Sequence, residues 1–219
     1  MLLKDLREQI VEFCLLMLAN DLAYTSQGNI SARDPETGYV AITPSAIPYR
    51  KMKAEDINIV KSDGTVVEAK WKSTSETPLH LIFFRERSNV GAVVHAHAPY
   101  ASVFAVANEP IPVVLTEAAA FVGGRVPVAR YGRPGSEELA RATFEGIGEG
   151  SAVLMYQHGL LCIGPDLNMA YETALSVEMT ARVLLLSRLL RANVSEVDAD
   201  EVKLIRERVL KTYHPTAAE

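Results

Sequence analysis

The stretch that decides the fold is AVVHAHAPYASVF, residues 92–104, in which an apolar run ends in two histidines one residue apart. The run predicts a buried β-strand, and the segment that begins at Tyr100 predicts a helix. Alternate side chains of a strand point to the same side of a sheet. His95 and His97 are therefore predicted to aim two imidazoles at one point, where they could bind a metal, a substrate or each other.

The composition of the chain limits what the protein can be. With 219 residues, 48% of them hydrophobic and 22% charged, it resembles an ordinary globular protein, and we expect residues 1–219 to form a single domain. The net charge of −5 and the lack of a basic block argue against a nucleic-acid partner. No apolar run is long enough for a membrane span, and the first residues predict an amphipathic helix instead of a signal peptide. Cys14 and Cys162 lie in apolar surroundings, which predicts buried reduced thiols and a cytoplasmic protein.

Helical and strand-like patterns alternate along the chain. The predicted helices lie in residues 2–23, 76–88 and 100–108, after an N-cap at Ser136, from Asp166 to about Arg191, and in residues 198–211. The predicted strands lie in residues 29–34, 38–43, 57–70 (a hairpin that turns at Asp63-Gly64), 90–98, 111–115, 126–131 and 151–164, the last one broken near Gly159. Tight turns between several strands suit antiparallel pairing. We expect an α/β fold with a mixed or mainly antiparallel sheet covered by helices on both faces.

A third histidine ends another predicted strand. His158 closes the run VLMYQHG, just as His95 and His97 close theirs. If the two strand ends lie together, three neutral imidazoles converge, which is the ligand set of a catalytic zinc site with an open fourth position. Gly159 leaves room close to that point. The alternative is that these are half-buried histidines whose hydrogen bonds are satisfied within the protein.

The segment KSTSETPLH, residues 72–80, offers a carboxylate for the same site. A metal that polarises a carbonyl needs a proton carrier beside it, and Glu76 could serve. The N-terminus of the helix that follows, with the hydroxyls of Thr74 and Ser75, would also suit an anion such as phosphate. The alternative is structural: Ser75 or Thr74 caps the helix that Pro78 begins, and Glu76 only favours the helix dipole.

Five motifs in this order, GNIS, TPSAIPY, STSETPLH, VVHAHAPYA and YQHGLLCIG, resemble those of the class II aldolase/adducin family. The likeness is greatest to the L-fuculose-1-phosphate aldolase branch, and it extends from the first helix to LKTYHP near the end of the chain. The resemblance implies a three-layer α/β/α sandwich around a mainly antiparallel sheet. It also implies a homotetramer with active sites at the subunit interfaces.

The resemblance further implies the residues of the site. His95, His97 and His158 match the ligands of Zn²⁺ in the family, although another divalent metal is possible. Glu76 matches an acid/base that can also ligate the zinc, and Tyr213 matches a tyrosine that reaches a neighbouring subunit's site as a proton donor. The positions that match the phosphate cradle are Gly28, Asn29, Ser45, Ala46, Thr74 and Ser75.

The implied activity is that of a zinc-dependent aldolase. It would cleave a small ketose 1-phosphate, similar to L-fuculose 1-phosphate, to dihydroxyacetone phosphate and an aldehyde. Zinc would stabilise the enediolate, Glu76 would move the proton at the carbon that becomes nucleophilic, and Tyr213 would serve the aldehyde oxygen. The substrate would be a small phosphorylated sugar held by neutral donors.

Because of two departures from the family pattern, the resemblance does not identify the aldehyde half of the substrate. Ala46 stands where the aldolase branch usually has glycine, and LTEAAAF, residues 115–121, lacks the tyrosine of the fuculose enzyme. Glu117 in that stretch could contact a substrate hydroxyl or a cation, or it could be a surface or interface carboxylate.

Other members of the superfamily leave further alternatives for the activity. These are a decarboxylase, a dehydratase, a 4-epimerase, and a non-catalytic adducin-like binding module. The epimerases place an aspartate where Glu76 stands, which argues against that reaction. Adducin-like proteins carry long tails, so we do not expect this compact chain to be such a module.

Overall fold

The computed structural model describes residues 1–212, and these form one eight-stranded sheet with helices on both faces. The strands are β1 Asn29–Arg33, β2 Val40–Ile42, β3 Asn58–Val60, β4 Val66–Glu68, β5 Ala92–Ala96, β6 Val128–Ala129, β7 Ala152–Met155 and β8 Gly159–Gly164. The helices are α1 Lys4–Ala19, α2 Thr77–Glu86, α3 Pro99–Ala107, α4 Thr116–Phe121, α5 Glu137–Ile147, α6 Leu167–Leu189 and α7 Ala199–Thr212. None of these helices combines the length and the apolar character needed to cross a membrane.

The sheet has the strand order β4-β3-β2-β1-β5-β8-β7-β6. Every neighbouring pair is antiparallel except β6 and β7, which are parallel. The register pairs Asn29 of β1 with His95 of β5, and His95 in turn with Leu161 of β8. The predicted mainly antiparallel sheet is confirmed, and its central strands carry residues of the candidate site.

The two faces of the sheet pack against different helices, as the two-residue period of a strand requires. Val94 of β5 packs in the core beneath α1, α3 and α6, whereas its neighbour Val93 packs in the core beneath α2 and α5. The three-layer α/β/α arrangement is therefore confirmed. Ser31 pairs with Val93, and His95 lies two residues after Val93, so both side chains point to that second face. His80 of α2 contacts Ser31 there.

The main error in the predicted elements lies between residues 111 and 131. The run at 111–115 is not a strand: Ile111 only forms an isolated bridge with Val126, and β6 keeps two residues of the run at 126–131. Pro112 and Pro127 lack the N–H group that a continuous ladder needs. The helix α4 was not expected, although its three consecutive alanines are strong helix formers.

Candidate active site

Two strand ends and a turn bring the three predicted histidines together. His95 lies in β5, His97 follows one residue after the strand ends, and His158 lies in the turn between β7 and β8. The ring centroids are 4.8 Å apart for His95 and His97, 4.8 Å for His95 and His158, and 5.2 Å for His97 and His158. The three imidazoles can each offer a nitrogen to one point, so this cluster could hold a metal ion.

The surroundings of His95 determine which of its ring nitrogens faces the cluster. Nδ1 lies 2.9 Å from the carbonyl oxygen of Leu160, which can only accept, so Nδ1 carries the hydrogen. In the neutral ring the lone pair is then on Nε2, which lies 3.0 Å from Nε2 of His97. This is the tautomer that a metal ligand needs, with a backbone carbonyl that orients the ring.

Burial also keeps the three imidazoles in the neutral form. It lowers the pKa of His95 and of His97, and it lowers the pKa of His158 to about 4. A protonated ring has no lone pair on either nitrogen to offer. Near pH 7 the cluster is therefore three neutral bases with nitrogens directed at one another.

Glu76 adds a negative charge to this cluster. It lies at the N-terminus of α2, and its Oε2 is 3.2 Å from Nε2 of His95 while its Oε1 is 3.3 Å from Nε2 of His158. Burial raises the pKa of Glu76, but His95 and then a hydrogen bond from Asn29 more than offset burial and lower this pKa to about 2. The carboxyl group is therefore ionised at neutral pH.

The alternative that residues 74–76 only begin the helix α2, with Ser75 or Thr74 as its cap, agrees with the structure only in part. No side chain caps α2, which begins at Thr77 and not at Pro78. The Thr74 hydroxyl accepts from the backbone N–H of Glu76 at 3.3 Å, so Thr74 orders the turn without capping the helix. Glu76 directs its carboxylate at the histidines and not at the first amides of its own helix.

The donor set fits a divalent cation. Ligands bound to tetrahedral zinc at about 2.0–2.1 Å lie about 3.3 Å from one another. Three separations are close to that spacing: 3.0 Å between the His95 and His97 nitrogens, and 3.2 and 3.3 Å from His95 and His158 to the oxygens of Glu76. The ligand nitrogens of all three histidines lie within 4.8 Å of one another. Among the described residues, Glu76 Oε1 is buried without a hydrogen-bond partner. A cation at the centre would lie close to this oxygen and would satisfy the imidazole lone pairs that face each other.

The segments predicted to cradle phosphate are joined by backbone hydrogen bonds. Ser45 N–H donates to the Lys72 carbonyl at 2.8 Å, and Thr74 N–H donates to the Thr43 carbonyl at 3.2 Å. The turns that hold Ser45 and Thr74 therefore lie side by side. Ala46 has a φ of 62°, in the left-handed region that glycine adopts readily.

Gly28 and Asn29 lie at the start of β1, close to the histidines. Gly28 has a φ of +78°, and a Cβ there would lie 2.6 Å from the carbonyl oxygen of His95, so the close approach of the two chains requires glycine. The hydroxyl of Tyr49 donates to the Gly28 carbonyl at 2.7 Å and fixes this turn. Asn29 is buried, and its amide N–H donates to Glu76 Oε2 at 2.9 Å. Asn29 thus contacts Glu76 as well as bordering the predicted cradle.

Two other predicted residues are not part of the cluster that the structure describes. Glu117 is exposed in the first turn of α4, and its Oε2 accepts from the hydroxyl of Thr116 at 3.2 Å. Tyr213 lies outside the described residues. No role was predicted for His80, whose Nε2 contacts Oδ1 of Asn29. His80 follows Glu76 by four residues, and this spacing could have indicated that the two side chains lie near each other.

Comparison with known proteins agrees with this fold. Residues 8–185 match the model of the class II aldolase and adducin N-terminal domain. The 5-deoxy-D-ribulose 1-phosphate aldolase of Bacillus thuringiensis serovar kurstaki is 39% identical over 183 residues, which are 84% of this chain and 85% of that protein.

Solved structures show the same likeness. An L-fuculose 1-phosphate aldolase is 31% identical with a TM-score of 0.88, over 93% of this chain and 95% of the other. The L-fuculose-1-phosphate aldolase from Thermus thermophilus, at 24% identity and a TM-score of 0.76, covers 88% of this chain and 98% of its own and supports the fold alone. The chain belongs to the class II aldolase and adducin family, and the resemblance noted in its motifs is confirmed. Its relatives include enzymes named as sugar-phosphate aldolases.

Proposed function

We propose that this protein is a metal-dependent aldolase that cleaves a small ketose 1-phosphate to dihydroxyacetone phosphate and an aldehyde. The observation that carries the proposal is the buried carboxylate of Glu76, which lies 3.2 Å from His95 and 3.3 Å from His158 within a cluster of neutral imidazoles. A base next to a cation site is what carbon–carbon cleavage beside a carbonyl needs. The named activities of the relatives support the same class of reaction.

His95, His97 and His158 would hold the cation, with Zn²⁺ as the favoured ion because three imidazoles are its usual catalytic ligands. When bound, the ion would supply positive charge that stabilises negative charge on the substrate's oxygens. Glu76 takes the proton from, and returns it to, the carbon of the dihydroxyacetone phosphate half that becomes nucleophilic. By resemblance, Tyr213 serves the aldehyde oxygen.

The phosphate of the substrate would be held by neutral donors. The two adjacent turns that contain Ser45 and Thr74 bring the hydroxyls of these residues together, and Ser75 is exposed beside them. Gly28 and Asn29 border the same region from β1, and Ala46 keeps the left-handed backbone. Neutral donors at turns and helix N-termini bind phosphate without an arginine cluster.

The test is a panel of ketose 1-phosphates incubated with the zinc-loaded protein. Dihydroxyacetone phosphate is measured with a coupled dehydrogenase, and the panel includes 5-deoxy-D-ribulose 1-phosphate and L-fuculose 1-phosphate, which the names of the relatives suggest. We expect release from at least one of them and none after treatment with a chelator. Release from no member of the panel, together with carbon dioxide from a 3-keto acid, would contradict the proposal and favour a decarboxylase.

We also propose that residues 1–219 form one domain, that four copies assemble with sites at their interfaces, and that the protein acts in the cytoplasm. The family resemblance supports the assembly, and the free, buried Cys14 and Cys162 suit a reducing compartment. Sedimentation velocity at micromolar concentration should give the mass of four chains of 23.9 kDa. A monomer under those conditions would rule the tetramer out.

A further inference from the structure

His80 connects the sheet to the carboxylate of Glu76 through a series of buried hydrogen bonds. It is fully buried in α2, one helical turn after Glu76. Its Nδ1 lies 2.6 Å from the hydroxyl of Ser31, and its Nε2 lies 2.5 Å from Oδ1 of Asn29. Asn29 then donates from Nδ2 to Glu76 Oε2 at 2.9 Å. We call the series Ser31–His80–Asn29–Glu76 the β1 relay.

The chemistry of these groups allows one direction for the hydrogen bonds. An amide oxygen only accepts, so Nε2 of His80 must carry the hydrogen that Asn29 receives. The neutral ring then accepts at Nδ1, where the hydroxyl of Ser31 donates. Burial lowers the pKa of His80 to about 3, which keeps the ring neutral. If the Asn29 amide were reversed, its oxygen would face the ionised Glu76 carboxylate with no hydrogen between the two acceptors.

The relay holds one oxygen of Glu76 and leaves the other without a hydrogen bond, 3.3 Å from Nε2 of His158. Oε2 receives the hydrogen bond from Asn29, whereas Oε1 is buried without a hydrogen-bond partner among the described residues. Asn29 can hold only the oxygen that its amide N–H reaches, and the other oxygen then faces the imidazole cluster. The orientation of Asn29 therefore decides which oxygen is available to the substrate.

We propose that His80 is a positioning residue: its Nε2–H fixes the amide of Asn29, so that Asn29 holds Glu76 Oε2 and Oε1 is left to carry the proton of the reaction. This inference rests on the proposed aldolase function. It assigns a role to the one buried histidine that lies outside the three-imidazole cluster in the described chain.

Two substitutions separate the hydrogen bond from the packing of the ring. His80→Phe keeps an aromatic ring in α2 but has no donor, whereas His80→Gln keeps an N–H group near the position of Nε2. The readout is the exchange of deuterium from solvent into dihydroxyacetone phosphate, followed by NMR. This half-reaction needs Glu76 but no aldehyde, so the identity of the aldehyde does not affect the test.

We expect His80→Phe to lower the turnover number of exchange about 10- to 100-fold, as the loss of an orienting partner typically does. The KM for dihydroxyacetone phosphate should change less than about threefold, because the phosphate contacts remain. His80→Gln should recover most of the rate. Zinc content, measured without substrate, should equal that of the wild type in both variants, because neither substitution changes one of the three imidazoles of the cluster.

Controls separate a positional effect from a loss of stability. Leu81→Ala removes a buried side chain from the same helix without touching the relay, and it should keep the exchange rate of the folded protein. Ser31→Ala keeps the ring in place and removes the hydroxyl that favours the Nε2–H form. Its exchange rate should fall between those of the wild type and His80→Phe. Ser31→Ala tests the relay in place of His80→Phe if phenylalanine prevents folding.

The outcomes distinguish the inference from the function on which it rests. If the zinc-loaded wild type exchanges no deuterium, the proposed function fails and the inference fails with it. If the wild type exchanges but His80→Phe or Ser31→Ala does so at the wild-type rate, only the inference is overturned. Equal losses in His80→Phe and His80→Gln would also overturn it, because the donor would then make no difference.

Discussion

Replacing His95 with alanine should abolish cleavage and weaken zinc binding by more than about 100-fold, since the loss of a partner that only orients a ligand already costs 10- to 100-fold. His95 is fully buried, and its Nε2 lies 3.0 Å from His97 and 3.2 Å from Glu76, at the centre of the cluster. Without it, two imidazoles remain for the ion. The measurement is the zinc content after dialysis against a chelator of known affinity, together with the release of dihydroxyacetone phosphate.

The control for this variant is Val94→Ala, one residue earlier in β5. Val94 is also fully buried, but it packs in the core on the opposite face of the sheet. Its truncation should cost about 2 kcal/mol of unfolding free energy and leave the zinc content unchanged. Full retention of zinc by His95→Ala would show that the imidazole cluster does not hold the metal.

Most of the fold follows from local sequence patterns, and the exceptions have a physical cause. The apolar runs that end near His95 and lie on either side of His158 predict β5, β7 and β8 without knowledge of the rest of the chain. Ser136 also caps α5 as predicted, because its Oγ accepts from Leu139 N–H at 3.1 Å. Residues 111–115 have the β-branched composition of a strand, yet no neighbouring strand pairs with them in the described chain beyond one bridge. Strand pairing is a tertiary property that composition alone does not contain.

The candidate site was partly predictable for a similar reason. A histidine at a strand end has a known direction, so the meeting of His95, His97 and His158 could be expected once two strand ends were placed together. The contact between His80 and Asn29 could not be expected in this way. It depends on how α2 lies across β1, and a helix can meet a sheet at many rotations and heights.

Converting Glu76 to glutamine should stop proton transfer while leaving the metal site occupied. Glutamine has nearly the same shape and can still accept the hydrogen bond that Asn29 donates to Glu76 at 2.9 Å, but it cannot take up a proton near pH 7. Loss of a general base typically costs 10²- to 10⁴-fold in rate, so both cleavage and deuterium exchange should fall by about that factor. Saturating zinc should still be bound, because the three imidazoles are unchanged.

The matched control is Glu86→Gln, which removes the same charge from the exposed C-terminal end of the same helix. It should exchange deuterium within about twofold of the wild-type rate, since surface substitutions away from a site have small effects. Exchange by Glu76→Gln at the wild-type rate would exclude Glu76 as the base. A fall in cleavage without a fall in exchange would place its role at the aldehyde half. Only parallel losses in both reactions, with zinc retained, fit a carboxylate that moves the proton at the nucleophilic carbon.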